Sequence, residues 1–212
     1  MKYLFLVTII SFVFACNSGS DHDDSHKDSA DHTAHTQQEG SGNNAMKDMH
    51  DAMNNMMQKM QSMKATGDAD YDFAMMMKHH HEGAIDMAKA EVGGGTDAQL
   101  KQMAQKMIDD QQKEIDQFNQ FMQGNQPTGN SDYGQKAMGM MTPMSEIKME
   151  SGSLDAMFAS MMIPHHQDAV KMAKEYLKVA KNQDMKKIAT NINQTQPKEI
   201  QELQSWLKNQ KK

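Results

Sequence analysis

The strongest constraint on this 212-residue chain is an internal repeat with a period of 85 residues. The run Phe73-Ala74-Met75-Met76-Met77-Lys78-His79-His80-His81-Glu82-Gly83-Ala84-Ile85-Asp86-Met87-Ala88-Lys89 aligns without gaps on Phe158-Ala159-Ser160-Met161-Met162-Ile163-Pro164-His165-His166-Gln167-Asp168-Ala169-Val170-Lys171-Met172-Ala173-Lys174. The register continues. Leu100, Met103, Ala104 and Met107 fall on Met185, Ile188, Ala189 and Ile192, and Lys113-Glu114-Ile115 falls on Lys198-Glu199-Ile200. A duplicated chain of this length predicts one domain built from two similar halves.

Within each half the apolar residues recur at helical spacing, and turn signals divide the half in two. The first repeat predicts a helix from about 70 to 92, stopped by Gly93-Gly94-Gly95, and a second from a capping box at Thr96 and Gln99 to about 122. The second repeat predicts helices over about 154–180 and 183–207, each expected to kink at a proline, Pro164 and Pro197. Two helix pairs with short internal loops (repeats 70–123 and 155–208) pack best as an antiparallel four-helix bundle spanning 67–210. Aromatic content of 6% and the lack of β-branched runs exclude a β-sandwich or barrel.

Methionine is the compositional outlier, at 25 of 212 residues. Met46, Met49, Met53, Met56, Met57, Met60 and Met63 recur at steps of three and four, with His50 expected on the same side, which predicts a Met-rich amphipathic helix over 45–66. A further Met-rich connection over 134–150 holds Met138, Met140, Met141, Met144 and Met149, with one short helix.

The N-terminus has a different logic. Residues 1–15 have the layout of a secretory signal, one lysine and then a short apolar run ending in Ala15 before Cys16. The ending resembles a bacterial lipobox, which implies lipidation of Cys16; the alternative is an ordinary signal beside a free thiol. Cys16 is the only cysteine, so disulfides and thiolate metal sites are excluded from the mature fold. Residues 16–44, rich in Ser, Asp, Gly and His, predict a disordered tether. Its His22, His26, His32 and His35 fit a plain spacer or a loose metal-collecting arm equally well. Asn17 points to anchoring at the outer membrane facing the periplasm, whereas the acidic run from Asp21 to Asp24 allows surface export. The net charge of -6 and the absence of Arg argue against nucleic-acid partners.

The chemistry-bearing residues lie on the repeated helix. Positions four and seven apart share a face, so Met76, His80, Ala84 and Met87 form one stripe and Met161, His165, Ala169 and Met172 its copy. Met77 with His81, and Met162 with His166, stand one residue round. The first histidine of each pair is expected to point into the bundle toward its counterpart. A single such histidine is ordinarily a packing residue and a Met stripe a gap-filler, but four buried imidazoles without partners are costly, and metal ligation satisfies them. Thioether and imidazole donors favour Cu(I), with Ag(I) as its soft analogue, over Ca²⁺ or Mg²⁺, which need clustered oxygens. No Glu has a His three residues later, which excludes the di-iron motif, and His81-Glu82 fails the zinc-protease pattern at Ile85.

These motifs resemble the bacterial domain-of-unknown-function family 305: Asp-x-x-Phe, Met-Met-x-x-His-His and Ala-(Ile/Val)-x-Met-Ala appear over 70–88 and again over 155–173. The resemblance covers about 68–207 and implies a ferritin-like four-helix fold, with some members binding copper outside the cytoplasm. It implies as metal ligands Met76, Met77, His80, His81, Met87, Met161, Met162, His165, His166 and Met172. His79, where the second repeat has Pro164, makes the halves inequivalent. The function expected is a membrane-anchored, copper-sequestering protein that stores copper or passes it to an efflux partner, without enzymatic activity. The rival readings are a copper-dependent redox enzyme, for which no acid or base beside the His pairs is apparent except Glu82, and a structural module with a Met-rich core.

Overall fold

The computed structural model describes residues 33–150 and 152–210, with side chains from Asn44 onward. The signal peptide, Cys16 and most of the tether, with His22, His26 and His32, lie outside the described residues, and so does the side chain of His35. The elements are α1 (Thr33–Ser62), α2 (Ala69–Gly94), α3 (Ala98–Gly124), α4 (Tyr133–Met138), a 3-10 turn (Met144–Glu146), α5 (Leu154–Tyr176) and α6 (Gln183–Gln210). α3 packs on α2 and α6 on α5, while α2 and α5 face each other at the centre, an antiparallel four-helix bundle of two helix pairs. α1 lies against α2 and touches α5.

The duplication is visible as a crossed pair of caps. Asp70 at the start of α2 accepts hydrogen bonds from the Lys181 and Asn182 amides at the entry to α6, at 3.0 and 3.1 Å. Its repeat mate Asp155 accepts from the Thr96 and Asp97 amides at the entry to α3, at 2.9 and 2.8 Å. Each carboxylate thus satisfies orphan donors at a helix N-terminus of the other repeat, locking α2 and α5 antiparallel. Phe73 of α2 stacks on Tyr176 of α5 at 4.0 Å, and the Tyr176 hydroxyl donates to Asp70 at 2.5 Å.

Three boundaries depart from the spacing rules. α1 begins at Thr33, so residues 33–44 of the expected tether are helical; extending a formed helix costs far less than nucleating one. Thr96 is not the cap of α3. Its hydroxyl donates to Asp155 at 2.7 Å, and Asp97 caps instead, accepting from Leu100 N at 2.9 Å. α5 ends at Tyr176 rather than 180, and α5 and α6 run as single helices through Pro164 and Pro197. Gly67, at φ 86, turns the chain between α1 and α2 with its backbone against Gly129, where any Cβ would be strained. Among the described residues, no helix is long and apolar enough to cross a membrane.

Candidate metal centre

The repeated helices bring the four histidines to the middle of the bundle. The His80 and His165 rings meet across α2 and α5 with centroids 3.7 Å apart. His81 and His166 are fully buried to either side, their rings 6.4 and 6.2 Å from His80 and His165. His81 Nε2 lies 2.6 Å from Glu114 Oε2 on α3, and His166 Nε2 lies 2.9 Å from Glu199 Oε2 on α6, at an angle outside hydrogen-bonding range. Glu114 and Glu199 are repeat mates. One turn earlier on the same helix faces stand another pair of mates, Gln111 and Gln196, both buried.

The Glu114 contact fixes a tautomer. A carboxylate at Nε2 keeps the proton there, which leaves Nδ1 of His81 with a free lone pair, the arrangement that orients a ligating imidazole. Six ring nitrogens of the cluster are buried without a hydrogen-bond partner: Nδ1 of His80 and His81, and both nitrogens of His165 and His166. A buried polar atom left unpaired costs about 1–3 kcal/mol. Burial, and then the neighbouring imidazoles, hold His80 and His165 well below the usual histidine pKa of 6.5, so both rings are neutral donors at physiological pH. Glu199 is held below the ordinary carboxylate range, because the contact with His166 outweighs the effect of its burial.

All six candidate methionines are buried. With His80 abreast of His165 on antiparallel helices, Met76 comes level with Ala169 and Met161 with Ala84, one turn to either side. Met77 and Met162 precede His81 and His166 by one turn on the next stripe. Met87 and Met172 stand two turns away, about 10 Å along the axis, level with Phe158 and Phe73. The donor set is therefore imidazole and thioether. Among the described residues no three His, Cys, Asp or Glu side chains are grouped to hold a metal by themselves.

Two features of the centre escape spacing rules. Glu114 and Glu199 supply carboxylates beside the His pairs, whereas Glu82, the only such group the sequence offers nearby, faces outward. It pairs there with Lys78 at 2.6 Å and His79 at 2.9 Å. Burial raises its pKa, but these two partners outweigh that and bring it down to about 2. The second is Met56 of α1. The point where a Cβ would sit on Gly83 is 2.6 Å from Met56 Cγ and 3.8 Å from His165 Nε2, so Met56 enters the centre where α2 has no side chain. The second repeat has Asp168 at that position, and a break in the repeat is the signal that marks it. Met49, Met53, Met56 and Met60 form the buried face of α1, while His50 is exposed and contacts Asn54, since it lies one residue round from that stripe.

A family profile described as Domain of unknown function (DUF305) matches residues 20–122 and 120–207. No curated protein matches the chain. Among solved structures, CopM in the Cu(II)-bound form is 30% identical, with a TM-score of 0.53, over 66% of this chain and 97% of that one. CopM in the Cu(I)-bound form is 28% identical (TM-score 0.53, 66% and 96% covered), and in the Ag-bound form obtained by soaking 29% identical (TM-score 0.52, 66% and 95% covered).

Proposed function

The chain belongs to the DUF305 family, and from that premise we propose that it is a copper-handling protein of the cell envelope, lipid-anchored through Cys16, that binds and sequesters Cu(I) and Ag(I) and so contributes to copper tolerance. The observation that carries the reading is the set of ring nitrogens buried without a hydrogen bond between two antiparallel copies of a Met/His helix, five of them besides His166 Nε2, which lies beside Glu199. Similarity to a protein solved with Cu(I), Cu(II) and Ag supports it independently.

His80, His165 and the flanking Met76 and Met161 are the central donors, with His81 oriented by Glu114 and His166 beside Glu199. Met56 closes the centre from α1. Neutral donors suit a soft monovalent ion, because a thioether and an uncharged imidazole hold it without requiring charge compensation in an apolar interior. Met77, Met162, Met87 and Met172 surround this core as secondary thioethers for a second ion or for transit.

A redox enzyme is the competing reading, and the placement of Glu114 and Glu199 favours it to the extent that such chemistry needs a proton acceptor. Copper-dependent oxidation of a phenol, abolished in His80→Ala/His165→Ala, would establish it. The test of sequestration is an anaerobic Cu(I) titration against a competing chelator, comparing wild type with that double variant. Tight binding that the variant loses supports the central site. Undiminished binding moves the metal elsewhere, and no binding in wild type overturns the copper reading.

A further inference from the structure

Outside the histidine centre, among the described residues, methionines also gather at a surface hollow. Met57 and Met60 of α1, Met138 at the end of α4, and Met141 and Met144 of the α4–α5 connection line a single surface hollow of about 350 Å³. The two segments are far apart in sequence, and neither belongs to the repeated helices. Met60 is buried, while the other four are half-buried, so these side chains stand at the boundary with solvent. No charged side chain lines the hollow.

The walls are fixed to the bundle at duplicated positions that have diverged. The Met-bearing connection is held at Thr142, whose amide and hydroxyl donate to Asp168 at 2.6 and 2.9 Å. Asp168 lies on α5 one turn beyond His165. Its repeat mate is Gly83, which seats Met56 of α1. One half thus uses this position to clamp the connection and the other to admit α1, and both Met-bearing segments are drawn to the same side of the histidine centre. A stripe that only fills a core is buried and needs no sulfur. Here four methionines remain half-exposed around an uncharged hollow, the chemistry of a soft, weakly hydrated cation rather than of Ca²⁺ or Mg²⁺.

We propose that this hollow, whose rim also carries the carboxamides of Asn54, Gln58 and Gln61, is a second, solvent-facing Cu(I)/Ag(I) site with thioethers as its donors, which takes up the ion outside the buried centre. The proposal rests on the copper-handling reading only for its choice of ion. The probe is Ag(I), which is inert to oxidation, titrated into the full chain carrying [13C-methyl]methionine, in wild type and in His80→Ala/His165→Ala. The expected result is a shift of the Met57, Met138, Met141 and Met144 methyl resonances in both proteins. If they stay in place while Met76 and Met161 move in wild type, the hollow is no metal site and the buried centre stands; a seat for an apolar peptide side chain then becomes its better description. If no methionine methyl moves, both readings fall. A second readout uses Met57→Leu/Met141→Leu/Met144→Leu, which keeps the apolar volume. Saturating Ag(I) should fall by one equivalent relative to wild type while the shifts of Met76 and Met161 persist. An unchanged stoichiometry overturns the proposal.

Discussion

The contact between Gly83 and Met56 decides whether α1 closes the histidine centre, and a single methyl group tests it. In Gly83→Ala the new Cβ would sit 2.6 Å from Met56 Cγ and 2.7 Å from Met56 Cβ. Carbon atoms pack at about 3.5–4.0 Å. Since Met56 Cβ is tied to the backbone, a rotamer change cannot clear the overlap, and α1 must move outward by about 1 Å. Overpacking of this kind costs about 1–3 kcal/mol, offset by up to about 1 kcal/mol from replacing glycine by alanine in a helix. The net expectation is a loss of roughly 1–2 kcal/mol. Gly93, on the same helix, has nothing within 4 Å of its Cβ position, so Gly93→Ala keeps the propensity gain alone and should stabilise by a few tenths to about 1 kcal/mol. Denaturant unfolding of both apo variants at neutral pH reads the difference, about 1–3 kcal/mol between them, since the propensity gain is common to both. The Met56 methyl resonance should change in Gly83→Ala and stay in Gly93→Ala. Equal stability of the two variants, with an unmoved Met56, would refute the docking of α1 over the centre.

Three further outcomes follow from the same geometry. Glu114→Gln removes the carboxylate that sets the His81 tautomer, and Cu(I) affinity in a chelator competition should drop about 10–100-fold, with thermal stability nearly unchanged; an unaltered affinity would show that His81 is not a ligand. The apo protein should lose stability as pH falls below about 6.5, because His80 and His165 titrate well below that value when folded while the unfolded chain takes up protons there first. The slope is at most about 1.4 kcal/mol per pH unit for each histidine, readable as melting temperature against pH in wild type and His80→Ala/His165→Ala. Glu91 has the opposite sign. Burial, and then the neighbouring Asp155 carboxyl, push it up to about 8, so the folded state gives up stability as pH rises from the unfolded value near 4.5 toward 8. Glu91→Gln, whose amide donates to Asp155 without a proton uptake, should gain stability over wild type by an amount that grows from pH 5 to 8, on the order of a few kcal/mol; a constant difference would place the neutral form of Glu91 in doubt.

The repeat made the central architecture legible. An 85-residue offset implies two like helix pairs, and the helical spacing of His80 and His165 on the apolar face implies that they meet, which they do at 3.7 Å. The boundary errors come from tertiary competition that no local rule contains. Thr96 has the right spacing for a cap but donates to Asp155, a residue from the other repeat. Glu114 and Glu199 stood in the alignment, yet a separation of 33 residues hides that they touch His81 and His166. Met56 lies outside the repeat altogether; only the exchange of Gly83 for Asp168 betrays the opening that receives it. Glu91 and Tyr176 are repeat mates with different chemistry, one pairing with Asp155 and the other with Asp70, and only the fold shows that both answer the same crossed cap.

The most direct measurement of the central claim is X-ray absorption at the copper edge, on the full chain loaded anaerobically with one equivalent of Cu(I). Imidazole nitrogen and thioether sulfur should appear together in the first shell, with the imidazole scattering lost in His80→Ala/His165→Ala. A spectrum of sulfur alone, or one that the double variant leaves unchanged, would contradict a copper site between the two repeats.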